Sequence, residues 1–266
     1  MAPIPGREPR PAAIVTGGGT GVGAATAAAL AARGYDVAIL FSKSANEANE
    51  TAALCKCEGV RAITIRGDVT EDDDCKAAVE AAVAAFGRLD ALINCAGATQ
   101  FVPLSDLDGQ NAADFQKIYA VNVIGPFQMA RAAAPHMRRG GAGAIVNVSS
   151  VGSLNGNGSS YSYVTSKAAL NTLTLALARN LAPEIRVNAV LPGLIETRWL
   201  KVGLGDEAYQ RVRDGWADAA ALGKACTADD VAQTIAWLIA DAALITGQLL
   251  TVDGGFLLGR PTRVSR

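Results

Sequence analysis

The chain of 266 residues has a single histidine, three methionines, three tryptophans and only 18% charged residues. One histidine, His136, cannot supply the paired imidazoles of most zinc sites. Five cysteines (Cys55, Cys57, Cys75, Cys95, Cys226) are an odd and scattered set, which reads as reduced packing thiols and not as a disulfide framework. Lysine and arginine do not outnumber the acids: the formal net charge is −1 and the isoelectric point about 5.9, so no electrostatic case exists for nucleic acid or an anionic membrane. The longest approach to a membrane span, 231–250, is interrupted by Gln233, Asp241 and Gly247. The Pro-rich lead 1–11 has no apolar run and does not read as a signal peptide, so a cytoplasmic protein is expected. The run Asp72-Asp73-Asp74 follows Thr70, an expected helix N-cap, and its acids complement a helix dipole; no metal site is expected.

Half of the residues are apolar, enough for a sizeable core. Short apolar strands alternate with Ala-rich helical stretches. The strands fall at 12–16, 36–41, 61–66, 89–94, 144–148, 185–190 and 248–252. Helices are expected at 24–33, 45–59, 74–86, 111–139, 161–181 and 227–240. This rhythm predicts a single α/β domain over 12–255: a doubly wound parallel sheet of about seven strands with helices on both faces. The stretch 194–216, with Gly203 and Gly205 inside it, reads as an irregular lid over the substrate. Residues 256–266 read as a C-terminal tail, basic and loose from Arg260 onwards.

Two stretches carry chemistry. The first is Gly17-Gly18-Gly19-Thr20-Gly21-Val22-Gly23 between the first strand and the first helix. Glycines let the main chain approach a pyrophosphate, and the helix N-terminus that follows offers free N–H groups and positive partial charge. The second strand then ends Phe41-Ser42-Lys43-Ser44, with no carboxylate for a ribose 2′-hydroxyl. A base and hydroxyls in its place suit a 2′-phosphate, so NADP(H) is favoured with NAD(H) still open. Lys43 as a merely solvated side chain is the plainer alternative.

The second stretch runs from Ser149 to Lys167. Tyr163 and Lys167 are four apart at the start of a helical pattern, which stacks them on one face. A free tyrosine ionises near pH 10; a neighbouring ammonium favours the phenolate and is expected to bring Tyr163 towards working pH. Ser149 and Ser150, at the end of a buried strand, offer a hydroxyl to hold a carbonyl oxygen. Pro126 stands four residues after Asn122 in a helical pattern and has no N–H. The Asn122 carbonyl is thus expected to be free to accept a hydrogen bond.

Taken together, Thr16-Gly17…Gly21-x-Gly23, Asp68-Val69, Asn94-Cys95-Ala96-Gly97, Asn122, Ser150, Tyr163-x-x-x-Lys167, Pro192-Gly193-x-x-x-Thr197 and Asp253-Gly254-Gly255 resemble the short-chain dehydrogenase/reductase family, in the right order over about 12–255. The resemblance implies hydride transfer between a nicotinamide and a carbonyl or secondary alcohol. It implies a cofactor site of Gly17, Thr20, Gly21, Val22, Gly23, Asp68, Val69, Asn94, Ala96, Gly97, Pro192, Ile195 and Thr197, beside Ser42 and Lys43 for the 2′-phosphate. It also implies that Ser150 polarises the carbonyl, Tyr163 exchanges the proton, Lys167 binds ribose and lowers the tyrosine pKa, and Asn122 holds the relay water. The family's spacing selects Ser150 over Ser149. Tyr161, with Thr165 four residues on, is excluded as the base. Cys95 departs from the usual asparagine.

The ends of the second strand and the Gly-Asn-Gly around Asn157 resemble 3-oxoacyl reductases in particular, so an NADPH-linked reductase of that kind is the leading expectation. A sugar, polyol or other secondary-alcohol dehydrogenase is the runner-up, and a non-catalytic dinucleotide sensor is the alternative of another class. The resemblance also implies a homotetramer, or a homodimer, and a small-molecule substrate.

Overall fold

The structure, a computed structural model, describes residues 10–196 and 205–260. Thr197, part of the expected lid, the lead 1–9 and the tail 261–266 lie outside the described residues. Seven strands form one sheet: β1 (Ala12–Thr16), β2 (Asp36–Phe41), β3 (Ala62–Arg66), β4 (Ala91–Asn94), β5 (Gly143–Val148), β6 (Ile185–Pro192) and β7 (Leu249–Val252). Their order is β3-β2-β1-β4-β5-β6-β7, and every pairing is parallel. The chain reverses its direction of travel across the sheet at β1 and β4, where such sheets open a crevice at their carboxyl ends.

The helices are α1 (Gly21–Ala32), α2 (Ala45–Cys57), α3 (Asp72–Phe86), α4 (Ala112–Tyr119), α5 (Gly125–Arg139), α6 (Gly152–Asn155), α7 (Tyr161–Leu181), α8 (Asp206–Ala219) and α9 (Ala228–Ala240). Strand side chains alternate between faces. Ala13 and Val15 of β1 join the core beneath α1, α2 and α9, with Ile39, Ile93 and Val146. Ala12 and Ile14 join the core beneath α3, α5 and α7, with Leu40, Leu92 and Ile145. Burial on both sides is why the central strands read as continuous apolar runs.

Three features differ from the expectations. The helix expected over 111–139 contains a π-turn at Ala120–Ile124, where the Gly125 N–H reaches back five residues to the Ala120 carbonyl. Much of the stretch expected to be irregular is α8, none of whose residues is buried; its few apolar residues, Tyr209, Val212 and Trp216, share a face but stand among charged residues and Gly215. Helix α3 is entered through Glu71 and not Thr70; the Thr70 hydroxyl bonds the Asp68 carboxylate at 2.9 Å instead. Asp72 pairs with Lys76 (2.7 Å) and Arg131, and Asp74 accepts the Asp68 N–H at 2.8 Å. No helix among the described residues is long and apolar enough to cross a membrane.

Candidate active site

The carboxyl ends of β1, β4, β5 and β6 bring the predicted residues to one edge. Beyond β1, Gly17 and Gly21 adopt φ of +64° and +53°, a region in which other L-residues are strained. A Cβ on Gly23 would lie 2.2 Å from the Gly17 carbonyl oxygen, so the loop closes on itself only with glycine there. Helix α1 begins at Gly21 behind Thr20, whose side chain makes no capping bond. Its first-turn N–H groups thus stay available to an anion. Thr20 and Gly21 are exposed and Val22 is buried beneath them. Such a loop fits a dinucleotide pyrophosphate.

Ser42 and Lys43 leave β2 at the same edge and are exposed. Lys43 makes no ion pair among the described residues. The register pairs Phe41 with Arg66, so a second exposed cation stands at the end of the neighbouring strand. Sequence reasoning missed Arg66, because only the strand pairing places it beside the β2 end. Asp68 is exposed and Val69 is buried, with Asp68 held by the Thr70 N–H at 3.0 Å.

The β4 turn is tied inwards. Thr16 Oγ1 accepts the N–H groups of Cys95 and Ala96, each at 3.0 Å. Asn94 donates to Asn147 at 2.8 Å, and Asn147 to Thr174 at 2.9 Å. The Asn94 side chain thereby braces β4 against β5 and, through Asn147, α7. Ala96 and Gly97 remain accessible. A Cβ on Gly97 would meet Asn122 Oδ1 and Lys167 Nζ at 3.7 Å, so this glycine keeps a slot open above both.

Asn122 sits fully buried in the π-turn. Its Oδ1 accepts the Ala98 N–H (2.8 Å), and its Nδ2 donates to the Ala98 carbonyl (2.9 Å) and Ser166 Oγ (3.0 Å). With that amide engaged, what Asn122 has to offer a water is its carbonyl, whose helical i+4 partner would be the imino acid Pro126.

Ser150 and Tyr163 face each other across the end of β5. Both line the same cavity, where the Ser150 hydroxyl favours the ionised form of the Tyr163 phenol, and Ser150 Oγ accepts the Gly152 N–H at 3.1 Å. Ser149 is buried and gives its hydroxyl to the Lys167 carbonyl at 3.1 Å. Tyr161 turns outwards and bonds the Leu104 carbonyl at 2.7 Å. The N-terminus of α7 is fixed by Ser160, which caps the Tyr163 N–H at 3.3 Å. Gln110 holds Ser162 from two sides, donating to its hydroxyl (2.7 Å) and accepting its N–H (3.1 Å). Gln110 was not a sequence candidate, and its distance of 52 residues from Ser162 hides the contact from any local pattern.

Lys167 is buried, with Nζ donating to the Val148 carbonyl at 2.8 Å and lying 5.7 Å from the centre of the Tyr163 ring. Burial pulls its pKa down to about 8, and burial pushes the Tyr163 pKa up, with the Ser150 hydrogen bond opposing. This corrects the expectation that Lys167 alone brings the phenol towards neutrality. Loss of water penalises both charged forms, and the ammonium is aimed at a carbonyl. Cys95, near Lys167, is a protonated thiol, pushed up to about 12 by burial.

Above the Ser150 and Tyr163 pair lies a cavity of about 160 Å³, partly open to solvent. Its walls are Phe101, Val151, Leu194, Ile195 and Trp216, with Asn157 and Ser159 as further polar groups. None of the described residues lining it is charged. Pro192 is buried at the end of β6, and Ile195 reaches the cavity. The arrangement presents two hydroxyls to one cavity, with room between them for a carbonyl oxygen.

Residues 17–257 match the family described as enoyl-(acyl carrier protein) reductase. The cis-4-hydroxycyclohexanecarboxylate dehydrogenase of Sinomonas cyclohexanicum is 38% identical over 247 residues, 92% of this chain and 95% of that protein. A 3-oxoacyl-[acyl-carrier-protein] reductase of Staphylococcus aureus is 34% identical over 248 residues, 92% of this chain and 98% of that one. The crystal structure of NAD⁺-bound xylitol dehydrogenase superposes with a TM-score of 0.84 at 29% identity, covering 94% of this chain and 100% of that chain.

Proposed function

The chain belongs to the short-chain dehydrogenase/reductase family, and from that premise we propose that it is an NADPH-linked reductase of the 3-oxoacyl type. It is an oxidoreductase acting on alcohol and carbonyl groups with a nicotinamide dinucleotide. The observation that carries the reading is the Ser150–Tyr163 hydroxyl pair under an apolar cavity, one helical turn from Lys167. When bound, the dinucleotide supplies or accepts the hydride. Gly17, Gly21 and Gly23 hold its pyrophosphate, Asp68 and Val69 its adenine, and Ala96 and Gly97 border its ribose. Pro192, Ile195 and Thr197 attend its nicotinamide end. Ser150 orients the substrate oxygen, and Tyr163 Oη gives or takes its proton. Lys167 holds the ribose hydroxyls and keeps a positive field beside the phenol. The Asn122 carbonyl anchors the water that returns the proton.

Preference for the phosphorylated cofactor rests on the β2 end, where Ser42, Lys43 and Arg66 stand and no carboxylate does. A sugar or polyol dehydrogenase is the second reading, favoured by the likeness to xylitol dehydrogenase. The apolar cavity walls weigh against a substrate bristling with hydroxyls. Exposed Ile124 and Phe127, then Trp237, Leu244 and Leu250, support two faces that bury in a homotetramer. A cytoplasmic enzyme fits the reduced cysteines.

Steady-state kinetics with NADPH and NADH against a small 3-oxoacyl thioester, ketones and polyols tests the reading. The thioester with NADPH should give the highest kcat/KM. Faster turnover of a polyol with NAD⁺ would overturn it in favour of the second reading. Tight NADPH binding with no turnover of any substrate would make the protein a sensor.

A further inference from the structure

Trp216 lines the cavity, and its position is set from far along the chain. Its ring lies face to face on Phe256, with centres 3.6 Å apart and planes 8° from parallel. On its other side it rests against Gly193, where a Cβ would come within 2.5 Å of Trp216 Cζ2. Trp216 Nε1 is buried with no hydrogen-bond partner, so packing and not polar contact holds the ring.

Phe256 is in turn fixed by a short C-terminal turn. The buried Asp253 carboxylate accepts the N–H groups of Gly255 (2.9 Å) and Leu257 (3.0 Å). The Gly254 carbonyl accepts the Leu222 N–H at 2.8 Å, and a Cβ on Gly255 would sit 2.8 Å from Ala221 Cβ. The turn is therefore clamped against the segment that follows α8. Gly193, Trp216 and Phe256 form a ladder of backbone, ring and ring, with no soft side chain between the cavity and the clamp.

From this we infer that Trp216, backed by Phe256, is a specificity-determining residue that limits the size of the uncharged group attached to the reacting carbonyl. The C-terminal turn thereby takes part in substrate selection. The inference rests on the carbonyl-reductase reading above. In an apolar pocket one methylene changes selectivity by about 10–200-fold, so removing an indole is expected to move it at least tenfold.

The test is a pair of ring ketones with the same reacting group and different bulk, cyclohexanone and 2-decalone, reduced by wild type, Trp216→Ala, Trp216→Phe and Phe256→Ala. The ratio of kcat/KM for the bulky to the compact ketone should rise at least tenfold in Trp216→Ala and by a smaller factor in Phe256→Ala. Trp216→Phe, which keeps a ring but is several atoms smaller, should raise the ratio by a factor between wild type and Trp216→Ala. NADPH affinity, read by fluorescence titration, should stay within twofold throughout and certifies that each variant is folded. An unchanged ratio in both alanine variants, with NADPH bound normally, overturns the inference and leaves the carbonyl-reductase reading intact. A wild type that binds NADPH but reduces neither ketone, nor any thioester, overturns both.

Discussion

Replacing Lys167 by methionine removes a buried ammonium while keeping a side chain of similar length. The drop of the lysine pKa from 10.5 to about 8 is the signature of a charge held where water cannot reach it. At about 1.4 kcal/mol per pH unit, that drop is worth roughly 3 kcal/mol against the folded state. Below pH 8 both folded and unfolded lysine are protonated and the full penalty applies. Between pH 8 and 10.5 the unfolded chain binds the extra proton, so the wild type gains stability as pH rises; above that range the penalty is gone. The thiols act with the opposite sign. Cys55 and Cys75 are pushed up to about 11 and Cys95 to about 12, so above pH 9 the unfolded chain loses those protons first and stability falls. Cys55 and Cys75 do so in both proteins and cancel in the difference; Cys95 is coupled to Lys167, so both proteins carry Cys95→Ala for the comparison. Urea unfolding of both proteins, reduced, without cofactor and at one protein concentration, should show the stability difference narrowing against the variant by ~3 kcal/mol from pH 8 to 10.5. At pH 7 the variant should be at least as stable, although the 2.8 Å bond to Val148 is gone. Parallel stability curves would show that the ammonium is not held at a cost and would refute the reasoning.

Tyr163→Phe should remove nearly all turnover, on the order of a thousandfold or more, while NADPH titration stays within a few-fold of wild type; near-normal turnover would reassign the proton. Gly23→Ala should destabilise by about 2 kcal/mol or more, because its methyl meets a main-chain oxygen and not a flexible side chain; a melting temperature within a degree of wild type would count against the loop geometry. Gln110→Ala should lower kcat about tenfold with the NADPH KM unchanged, through a loosened α7 N-terminus, and Gln110→Glu should restore less than Gln110→Asn does. Lys43→Ala combined with Arg66→Ala should raise the KM for NADPH by about tenfold or more and leave that for NADH alone. Equal effects on both cofactors would place the two cations elsewhere than at a 2′-phosphate.

Much of the sheet was legible because its strands are buried on both faces and therefore written as uninterrupted apolar runs, as in Val37–Leu40 and Ala91–Ile93. The tyrosine, the lysine and the glycine loop were legible because their chemistry depends on short spacings. Contacts between distant segments were not. Trp216 meets Phe256 forty positions later, and Arg66 meets Phe41 only through the pairing of β2 with β3. Helix α8 escaped notice because its apolar residues are few and Gly203, Gly205 and Gly215 stand before and within it. Spacing stacked the tyrosine and lysine on one face but says nothing of how much water either group keeps, and burial is the largest influence on both.

The wide turn at Ala120–Ile124 has a consequence for evolution and for engineering. It amounts to one surplus residue in an otherwise continuous rod, and each residue advances an α-helix by about 100°. Everything downstream in α5, including buried Met129, Ala133 and Met137, is phased to that surplus. Deleting one amino acid there would yield a tidier helix by local criteria. It would also turn the α5 core face away from the sheet and leave Ala98 without the amide that aligns it.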